Sequence, residues 1–350
     1  MTLEYPQTRS RRRKAARIED VAAVAGVSAM TVSRALRGVD GVSERKRAEI
    51  LRIATRLNYV PNSNARSLAV ANSNLIGISL PTFANDVFAD ILSGMRGTFE
   101  NAGFSTVIDT TEYRETTELA WVERLLSWRP AAVILTGIDH LPQVRERLRA
   151  GRVPTLEIWG HSEDPIDLCV GIDHAAAGEL IGSRMVELGY RAPAFVGAPA
   201  GRDTRADLRV TGLNRAFADV AEMPVQELRP ALDDASAFEV GFAALNALLE
   251  TDRALPDVVF FLNDHMAFGG LMACERHGLS VPMDMGLVGF NALPMTRVLP
   301  VSLTTVRTPR TQMGIMGAQR LLARIHGVTP PRSTALPVQV IEGGTTRPQA

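Results

Sequence analysis

The segment IEDVAAVAGVSAMTVSRALR, residues 18–37, carries two short apolar repeats at helical spacing, separated by a single glycine. Gly26 ends the first predicted helix, and Ser28 is a favourable N-cap for the second. Two short helices joined by a glycine-containing turn predict a helix-turn-helix. The positions predicted to face inward are Ile18, Val21, Ala22 and Ala25 on the first helix and Val32 and Leu36 on the second.

The outward side of the second helix has the residue types that read a major groove. Arginine donates to guanine or to phosphates, hydroxyl side chains serve phosphates or bases, and apolar side chains contact thymine methyl groups. A third helix is predicted from Ser43 to about Leu57, with Lys46 and Arg47 facing outward. An ordinary three-helix packing unit with a solvated surface is the alternative. The predicted DNA-facing set of the second helix is Ala29, Met30, Thr31, Ser33, Arg34 and Arg37.

The formal net charge of zero conceals an uneven distribution of charge along the chain. Residues 1–70 contain 14 Lys and Arg against 6 Asp and Glu, a balance of +8. The remaining residues contain 24 basic and 32 acidic side chains, a balance of −8. A basic end on a more acidic body indicates a nucleic acid as partner. A solvated tail would explain the charges from Arg9 to Arg17, but not those spread from Arg34 to Arg66.

The length and composition indicate a globular protein of two or three domains, with 350 residues and a mean hydropathy of +0.04. No run approaches the roughly 18 apolar residues of a membrane helix. Because Ile18-Glu19-Asp20 follows the basic start, we expect no secretory signal and a cytoplasmic location. Cys169 and Cys274 suit neither a disulfide framework nor a metal site, so they are expected to be structural, and neither metal nor cofactor is expected.

Beyond residue 74, short β-rich runs alternate with amphipathic stretches, which favours parallel α/β sheets. The runs outnumber the strands of one ordinary sheet. The predicted helices include Val87–Ala102, Thr116–Trp128, His174–Leu188 and Asp264–Gly278. The predicted strands are Leu75–Leu80, Ser105–Asp109, Ala132–Leu135, Pro154–Ile158, Leu168–Ile172, Pro193–Val196, Val258–Phe261, Gly286–Phe290 and Leu303–Val306.

Several motifs resemble the lactose-repressor (LacI) and purine-repressor family, and the likeness runs from Ile18 to about Gly343. The resemblance implies an N-terminal all-α helix-turn-helix head plus a bilobed, periplasmic-binding-protein-like α/β core with two parallel-sheet, Rossmann-like lobes. The head motifs are Ile18-Glu19-Asp20-Val21-Ala22, Ala25-Gly26-Val27-Ser28, Thr31-Val32-Ser33-Arg34 and Leu57-Asn58-Tyr59-Val60-Pro61-Asn62, and those of the core are Leu75-Ile76-Gly77, Val170-Gly171-Ile172-Asp173, Asn263-Asp264, Gly289-Phe290 and Leu303-Thr304-Thr305-Val306.

The same resemblance sets the expected domain boundaries. They are a basic arm at 1–16, the helix-turn-helix at 17–61, a hinge at 62–74 and an effector-binding and dimerisation core at 75–350. Within the core, the first lobe is expected at about 75–173 and 304–332, and the second at about 174–303 and 333–346.

The segment from Asn62 to Ala71 matches the family's hinge, which forms a helix on DNA. Asn62 and Ala65 are assigned to the DNA-contacting set, and Leu68 falls where the family inserts a leucine wedge into the minor groove. Such a wedge exchanges base stacking for a bent duplex with more protein contact; ordinary hinge packing is the alternative. Arg37 stands where the family usually has asparagine, so a known operator sequence does not transfer to this chain.

Ligands of open α/β sheets bind at the carboxyl ends of the strands. By position or by resemblance, the expected effector-binding residues are Phe88, Trp159, Arg205, Arg209, Phe260, Asn263 and Asn291. Asn291 replaces the family's usual aspartate, which removes a carboxylate opposite Arg205 and Arg209 and favours an anionic effector. Solvated arginines at a helix start are the alternative. His161, His174 and His265 are expected in surface or satisfied-core roles.

Further motifs resemble the gluconate-repressor branch, which implies a sugar acid such as gluconate or a ketogluconate as effector; another sugar or a phosphosugar is the alternative. These motifs are Ala29-Met30-Thr31-Val32-Ser33-Arg34, Leu36-Arg37, Asn85-Asp86-Val87-Phe88-Ala89, Leu126-Ser127-Trp128, Arg307-Thr308-Pro309-Arg310 and Leu321-Leu322-Ala323-Arg324-Ile325.

The sequence predicts a regulator of transcription, which we expect to be a repressor. Because a single helix-turn-helix reads few base pairs, we expect it to bind a pseudo-palindromic operator in double-stranded DNA as a homodimer. Effector binding would control it allosterically by shifting lobe closure and the hinge. A sugar-binding protein without a DNA head is one rival. A sugar-acid enzyme is the other, but no P-loop or nucleophile-and-base pattern is recognised, so no enzyme is expected.

Overall fold

The computed structural model describes residues 16–59, 73–199, 203–230, 235–251 and 254–349. The chain divides into two compact units, a head, Met1–Ala71, and a core, Asn72–Ala350. The predicted DNA contacts Asn62, Ala65 and Leu68 lie outside the described residues, as does nearly all of the basic arm.

The described part of the head, residues 16–59, contains the helices α1 (Ile18–Ala25), α2 (Ala29–Arg37) and α3 (Glu44–Arg56). Gly26 has a φ of 63°, a left-handed conformation that suits glycine, and its N–H donates to the carbonyl of Ala22. The Ser28 hydroxyl accepts from the Thr31 N–H and so caps α2 as expected. The predicted helix-turn-helix is confirmed.

The head core differs from the expected one on α2. Leu36, which was predicted to face inward, is half-buried at the margin of the core, and its neighbour Ala35 is buried instead. Helix α2 has only nine residues, so the centre of its apolar face is set by its contacts with α1 and α3. Val21, Val32 and Ile50 are fully buried and join the three helices.

The first lobe is built on a fully parallel sheet with helices against it. Its strand order is β11-β5-β4-β3-β1-β2. The strands are β1 (Leu75–Leu80), β2 (Ser105–Thr110), β3 (Ala132–Thr136), β4 (Thr155–Trp159), β5 (Leu168–Gly171) and β11 (Ser333–Ala335); the helices are α4 (Asp86–Asn101), α5 (Glu115–Ser127), α6 (Pro142–Ala150) and α11 (Arg310–Ile325).

The second lobe repeats this plan, with the order β12-β10-β9-β8-β6-β7 and only β12 antiparallel. The strands are β6 (Pro193–Val196), β7 (Gln226–Leu228), β8 (Val258–Phe261), β9 (Gly286–Asn291), β10 (Thr304–Arg307) and β12 (Gln339–Ile341); the helices are α7 (His174–Glu187), α8 (Thr204–Phe217), α9 (Ala237–Leu249) and α10 (Asp264–Arg276). The predicted bilobed α/β fold is confirmed.

Two of the crossings between the lobes lie a few residues later than the sequence placed them. Strand β10, expected to begin the return to the first lobe at 304, pairs with β9 in the second sheet. Strand β11, expected in the second lobe from 333, pairs with β5 in the first sheet. Both strands are short and lie toward a sheet edge, where three or four residues carry too little pattern to identify the sheet they join.

Helices α7 and α8 pack unusually closely because glycines face each other's backbone. A Cβ on Gly178 would lie 2.3 Å from the Arg209 carbonyl oxygen, and one on Gly212 would lie 1.9 Å from the Ala175 carbonyl oxygen. Any larger residue would push the helices apart. This contact fixes the position of Arg209 relative to the start of α7.

Within the described ranges, no helix is both long and apolar enough to cross a membrane. The same ranges contain no group of three or more His, Cys, Asp or Glu side chains that could hold a metal ion. Cys169 and Cys274 are buried, and burial raises the pKa of each thiol to about 11. Their thiols are therefore protonated at neutral pH and pack as small apolar groups.

Candidate effector cleft and DNA-reading helix

The exposed side of α2 carries most of the side chains that the sequence assigned to DNA. Met30 is 65% exposed, Arg34 is exposed, and Thr31 and Ser33 are partly exposed. Arg37 ends the helix, and its side chain lies outside the described part of the chain. Ala29 was expected to be free of the core, but it is half-buried and packs against the head core, because the first turn of α2 lies over α1.

Two basic residues of α3 support the head instead of facing freely outward as expected. The Lys46 ammonium donates to the Ala25 carbonyl over 2.8 Å and so caps the end of α1. The Arg47 guanidinium donates to the Val39 carbonyl over 3.2 Å. Both side chains are partly buried, and their charges stabilise the turns that flank α2.

A cleft of about 440 Å³ lies between the lobes, at the carboxyl ends of the first-lobe strands. Loops after β1, β2 and β3 form one side, and the start of α8 forms the other. The Thr204 hydroxyl donates to the Asp139 carboxylate over 2.5 Å, which links the two lobes at the cleft. Its lining includes Pro81, Thr111, Tyr113, Thr136, Gly137, Asp139, Asp203, Thr204 and Arg205.

Of the expected effector residues, only Arg205 is among those that line this cleft. A row of buried rings extends from the first lobe to the second. Phe88 contacts Trp159 edge-on with ring centroids 6.3 Å apart, and Trp159 contacts His174 at 5.7 Å. His174 in turn lies 6.3 Å from Phe290. All four side chains are buried, so the predicted aromatic residues Phe88 and Trp159 do come together.

Arg209 is a buried cation beside this row. Its Nη1 donates to the Leu262 carbonyl over 2.7 Å, its Nε donates to the Arg205 carbonyl over 3.3 Å, and its Cζ lies 4.1 Å from the Phe290 ring centroid. Among the described residues no carboxylate forms an ion pair with it. Burial lowers the pKa of Arg209 to about 10; the charge of Asp203 opposes this shift, and the neighbouring Arg205 acts in the same direction as burial. A buried cation whose hydrogen bonds all go to carbonyls, and which forms no ion pair with a carboxylate among the described residues, is suited to receive an anionic group.

Arg205 differs from Arg209 because it already has a carboxylate partner. Its Nε donates to Asp203 over 2.6 Å, and its guanidinium lies 5.7 Å from the Tyr113 ring centroid. The alternative of two solvated arginines is wrong, since Arg205 and Arg209 are 8% and 5% exposed. Arg205 contributes charge to the cleft, and Arg209 has the greater capacity to bind an anion.

Asn291 lies at the end of β9, where its φ of 110° turns the chain sharply. It is buried, and its side-chain oxygen has no hydrogen-bond partner among the described residues. Its carbonyl accepts from Arg310, whose Nε also donates to Asp90 over 2.8 Å. Arg310 belongs to the motif Arg307-Thr308-Pro309-Arg310, and no role was predicted for it from the sequence. Arg310 joins an expected effector position to helix α4 of the other lobe.

The two remaining expected residues serve the second lobe itself. Phe260 is buried, and its ring packs edge-on against Phe217 at 6.1 Å. The Asn263 side-chain oxygen accepts from the Met266 N–H over 2.9 Å and so caps α10. Neither of these contacts places the side chain in the row of rings. Their assignment to the effector stays a prediction.

The carboxyl of Asp264, next to Asn263, is fully buried. It accepts from the Leu293 N–H over 2.7 Å and from the Thr305 hydroxyl over 2.6 Å. Burial raises its pKa from 3.8 to about 7. Because the folded state holds the proton more tightly than the unfolded chain, the free energy of unfolding falls as pH rises from about 4 through 7.

We expect Asp264→Asn to flatten this pH dependence, because an amide accepts from Leu293, donates to Thr305 and never ionises. At 1.36 kcal/mol per pKa unit, the wild type should lose about 2–3 kcal/mol more stability than the variant between pH 5 and pH 7. Urea unfolding at several pH values measures this difference. Asp219→Asn, an exposed control, should follow the wild type. Parallel curves for wild type and Asp264→Asn would show that the buried carboxyl is not the cause.

The comparisons with known proteins decide the family. Residues 17–62 match the family of bacterial regulatory proteins, lacI family, and residues 183–346 match the periplasmic binding protein-like domain. The HTH-type transcriptional regulator GntR of Escherichia coli (strain K12) is 33% identical over 89% of this chain and 93% of its own length. The chain belongs to the LacI family. This LacI-family protein is a DNA-binding transcriptional regulator, and its resemblance to the gluconate-repressor branch is confirmed.

Other relatives of this LacI-family regulator agree. The HTH-type transcriptional regulator IdnR of Escherichia coli (strain K12) is 31% identical over 94% of this chain and 98% of its own length. A LacI-family regulator from Silicibacter pomeroyi has a similar crystal structure, with a TM-score of 0.85, 31% identity and coverage of 94% and 99% of the two chains. The lac repressor dimer bound to operator and an anti-inducer gives a TM-score of 0.80 at 26% identity over 95% and 99% of the chains.

Proposed function

We propose that this LacI-family regulator is a repressor of sugar-acid metabolism genes and that a sugar acid, such as gluconate or a ketogluconate, controls it from the cleft between the lobes. The observation that carries the proposal is Arg209, a buried guanidinium that donates to carbonyls and forms no ion pair with a carboxylate among the described residues. A carboxylate ligand would supply the missing charge. Asn291 stands where the family usually has aspartate, so the protein supplies no carboxylate at this position and the ligand would supply one.

The proposed effector contacts combine charge with aromatic surface. Arg209 and Arg205 would hold the carboxylate, Asn291 would contact a hydroxyl, and Phe88 and Trp159 would pack against the carbon chain. Phe260 and Asn263 complete the proposed set from the second lobe. Sugar ligands commonly bind through such a mixture of rings and fixed polar groups.

The proposed DNA contacts are those predicted from the sequence, including Ala29, which is partly exposed like Thr31 and Ser33. The protein would act in the cytoplasm as a homodimer on a pseudo-palindromic operator, each head reading one half-site. Effector binding would alter the links between the lobes, which include Thr204 with Asp139 and Arg310 with Asp90 and Asn291. Their rearrangement would shift the dimer interface and the 62–71 hinge.

A thermal-shift panel on the full chain tests the proposed effector class. The panel contains D-gluconate, 2-keto-D-gluconate, 6-phospho-D-gluconate and neutral D-glucose. A ligand that binds the folded state raises the unfolding temperature by mass action. We expect the unphosphorylated sugar acids to raise it and glucose to have no effect. A response to 6-phosphogluconate alone would replace the sugar acid with a phosphosugar, and no response to any acid would overturn the proposal.

A separate prediction concerns Leu68 in the hinge and its effect on operator binding. Leu68→Ala should weaken specific operator binding on the order of 10-fold and reduce the bend, because the wedge that offsets base unstacking would be lost. Electrophoretic mobility of circularly permuted operator fragments measures both quantities. Ser67→Ala is the neighbouring control. An unaltered bend with Leu68→Ala would mean that Leu68 only packs within the hinge.

A further inference from the structure

His174 is a buried histidine at the point where the chain first crosses between the lobes. It is the first residue of α7, follows β5 closely and is 2% exposed. Its ring lies between those of Trp159 and Phe290. A surface or satisfied-core role was expected for His174 from the sequence. The ring is buried, but only one of its two nitrogens has a hydrogen-bond partner; Nδ1 has none among the described residues.

The contacts of His174 determine which nitrogen carries the hydrogen. Nε2 lies 2.9 Å from the Trp159 carbonyl oxygen, and a carbonyl oxygen only accepts, so Nε2 must donate. Nδ1 then carries a lone pair in the neutral ring, or a second hydrogen in the charged ring. Burial lowers the pKa of His174 well below its usual value, and the positive charges of Arg209 and Arg205 act in the same direction. The ring is therefore neutral, and Nδ1 is an acceptor.

A buried acceptor without a donor is costly, so its presence calls for an explanation. The part of the chain that the structure describes places no donor within reach of Nδ1. A second buried acceptor without a partner, the side-chain oxygen of Asn291, belongs to the residue that follows Phe290. Phe290 also carries the guanidinium of Arg209 on its face. The ring of His174, with its unused acceptor, and the guanidinium of Arg209 thus both lie beside the ring of Phe290, and the second unused acceptor is on the next residue of the chain.

This combination specifies the chemistry of a ligand. The cation requires an anionic group, and the acceptors require hydrogen-bond donors attached to the same molecule. Hydroxyl groups donate, whereas a keto oxygen only accepts and a methylene does neither. A polyhydroxy acid meets both requirements.

We propose that neutral His174 accepts a hydrogen bond through Nδ1 from one hydroxyl of the effector, and that this bond selects a hydroxyl over a keto or deoxy group at that carbon. The inference rests on the proposed function, since it takes the effector to be a sugar acid. It adds a specificity-determining residue outside the expected set. If His174 served only to link α7 to Trp159, the protein would show no such preference among ligands.

The test compares D-gluconate with its single-deoxy analogues by calorimetry on the full-length wild type, on His174→Phe and on His277→Phe. Phenylalanine keeps a ring between Trp159 and Phe290 but has no acceptor. His277 is exposed at the end of α10 and is the matched control. We expect one deoxy analogue to bind the wild type and His277→Phe about 10- to 100-fold more weakly than gluconate. His174→Phe should bind gluconate and that analogue equally.

Nitrogen-15 NMR of the histidine rings gives a second readout that does not depend on a variant that folds. In the free wild type, the Nδ1 resonance of His174 should be that of an unprotonated nitrogen without a hydrogen bond, and gluconate should shift it upfield. A protonated Nδ1 in the free protein would overturn the proposal. An Nδ1 resonance unmoved by bound gluconate would do the same.

The outcomes separate this proposal from the proposed function. If gluconate binds and His174→Phe keeps the wild-type preference among the deoxy analogues, the His174 proposal is wrong and the sugar-acid effector stands. If the wild type binds no sugar acid, the proposed function fails and the His174 proposal fails with it.

Discussion

Arg209→Ala is expected to abolish the response to gluconate and to leave operator affinity unchanged. The guanidinium is buried, so a ligand carboxylate left without it would be desolvated and unpaired. Truncation of one partner in such a pair costs about 2–5 kcal/mol, which is at least a roughly 30-fold loss of effector affinity. Calorimetry with gluconate measures the binding, and an operator mobility shift measures the DNA affinity.

Arg215→Ala is the matched control for this experiment. Arg215 lies on the same helix, its side chain is 58% exposed, and it lies 3.8 Å from Glu179. Its replacement should change neither binding reaction. Because Arg209 also bonds to the Leu262 carbonyl, thermal unfolding of both variants checks that α8 keeps its place. A folded Arg209→Ala protein that still responds to gluconate would show that the anion binds elsewhere.

Arg34→Ala is expected to lower affinity for the specific operator by about 10- to 100-fold while changing affinity for random DNA far less. Arg34 is exposed on α2, where a guanidinium can reach a base edge, and a bidentate contact to guanine contributes about 1–3 kcal/mol of discrimination. Fluorescence anisotropy with operator and with random duplex at the same salt concentration gives the ratio.

Arg52→Ala is the control for charge alone, because Arg52 is exposed on α3 and not on α2. Its loss should weaken binding to both duplexes by similar, small factors, since general charge carries no sequence information. An equal loss for both duplexes with Arg34→Ala would make Arg34 a phosphate contact and not a base contact.

The sequence predicted the head and most of the core well, because those features are local. Helix α2 begins where its N-cap, Ser28, and its apolar spacing place it, and β1 has the expected bounds. Ala29 was expected to be free of the head core but packs against it, which depends on the packing of the helices; its contact with DNA stays a prediction. The expectation for Lys46 was wrong because its partner, the Ala25 carbonyl, lies 21 residues away.

For the effector site too, the sequence identified residues but not the contacts that they make. Resemblance picked out Arg209 and Asn291, but only the structure shows that Arg209 lacks a carboxylate among the described residues and that Arg310 donates to Asn291. His174 carried no recognisable pattern in the sequence. Its significance depends on Trp159, which is 15 residues away in the first lobe, and on Phe290, which lies on β9 of the second lobe.

The coupling between an anion in the cleft and DNA in the heads is measured most directly by fluorescence anisotropy. Full-length protein is titrated onto a genomic operator fragment at fixed salt, with and without saturating D-gluconate. We expect the apparent affinity to change about 5- to 150-fold, the usual range of allosteric coupling. Identical binding curves, at a concentration where calorimetry shows gluconate bound, would contradict effector control of this regulator.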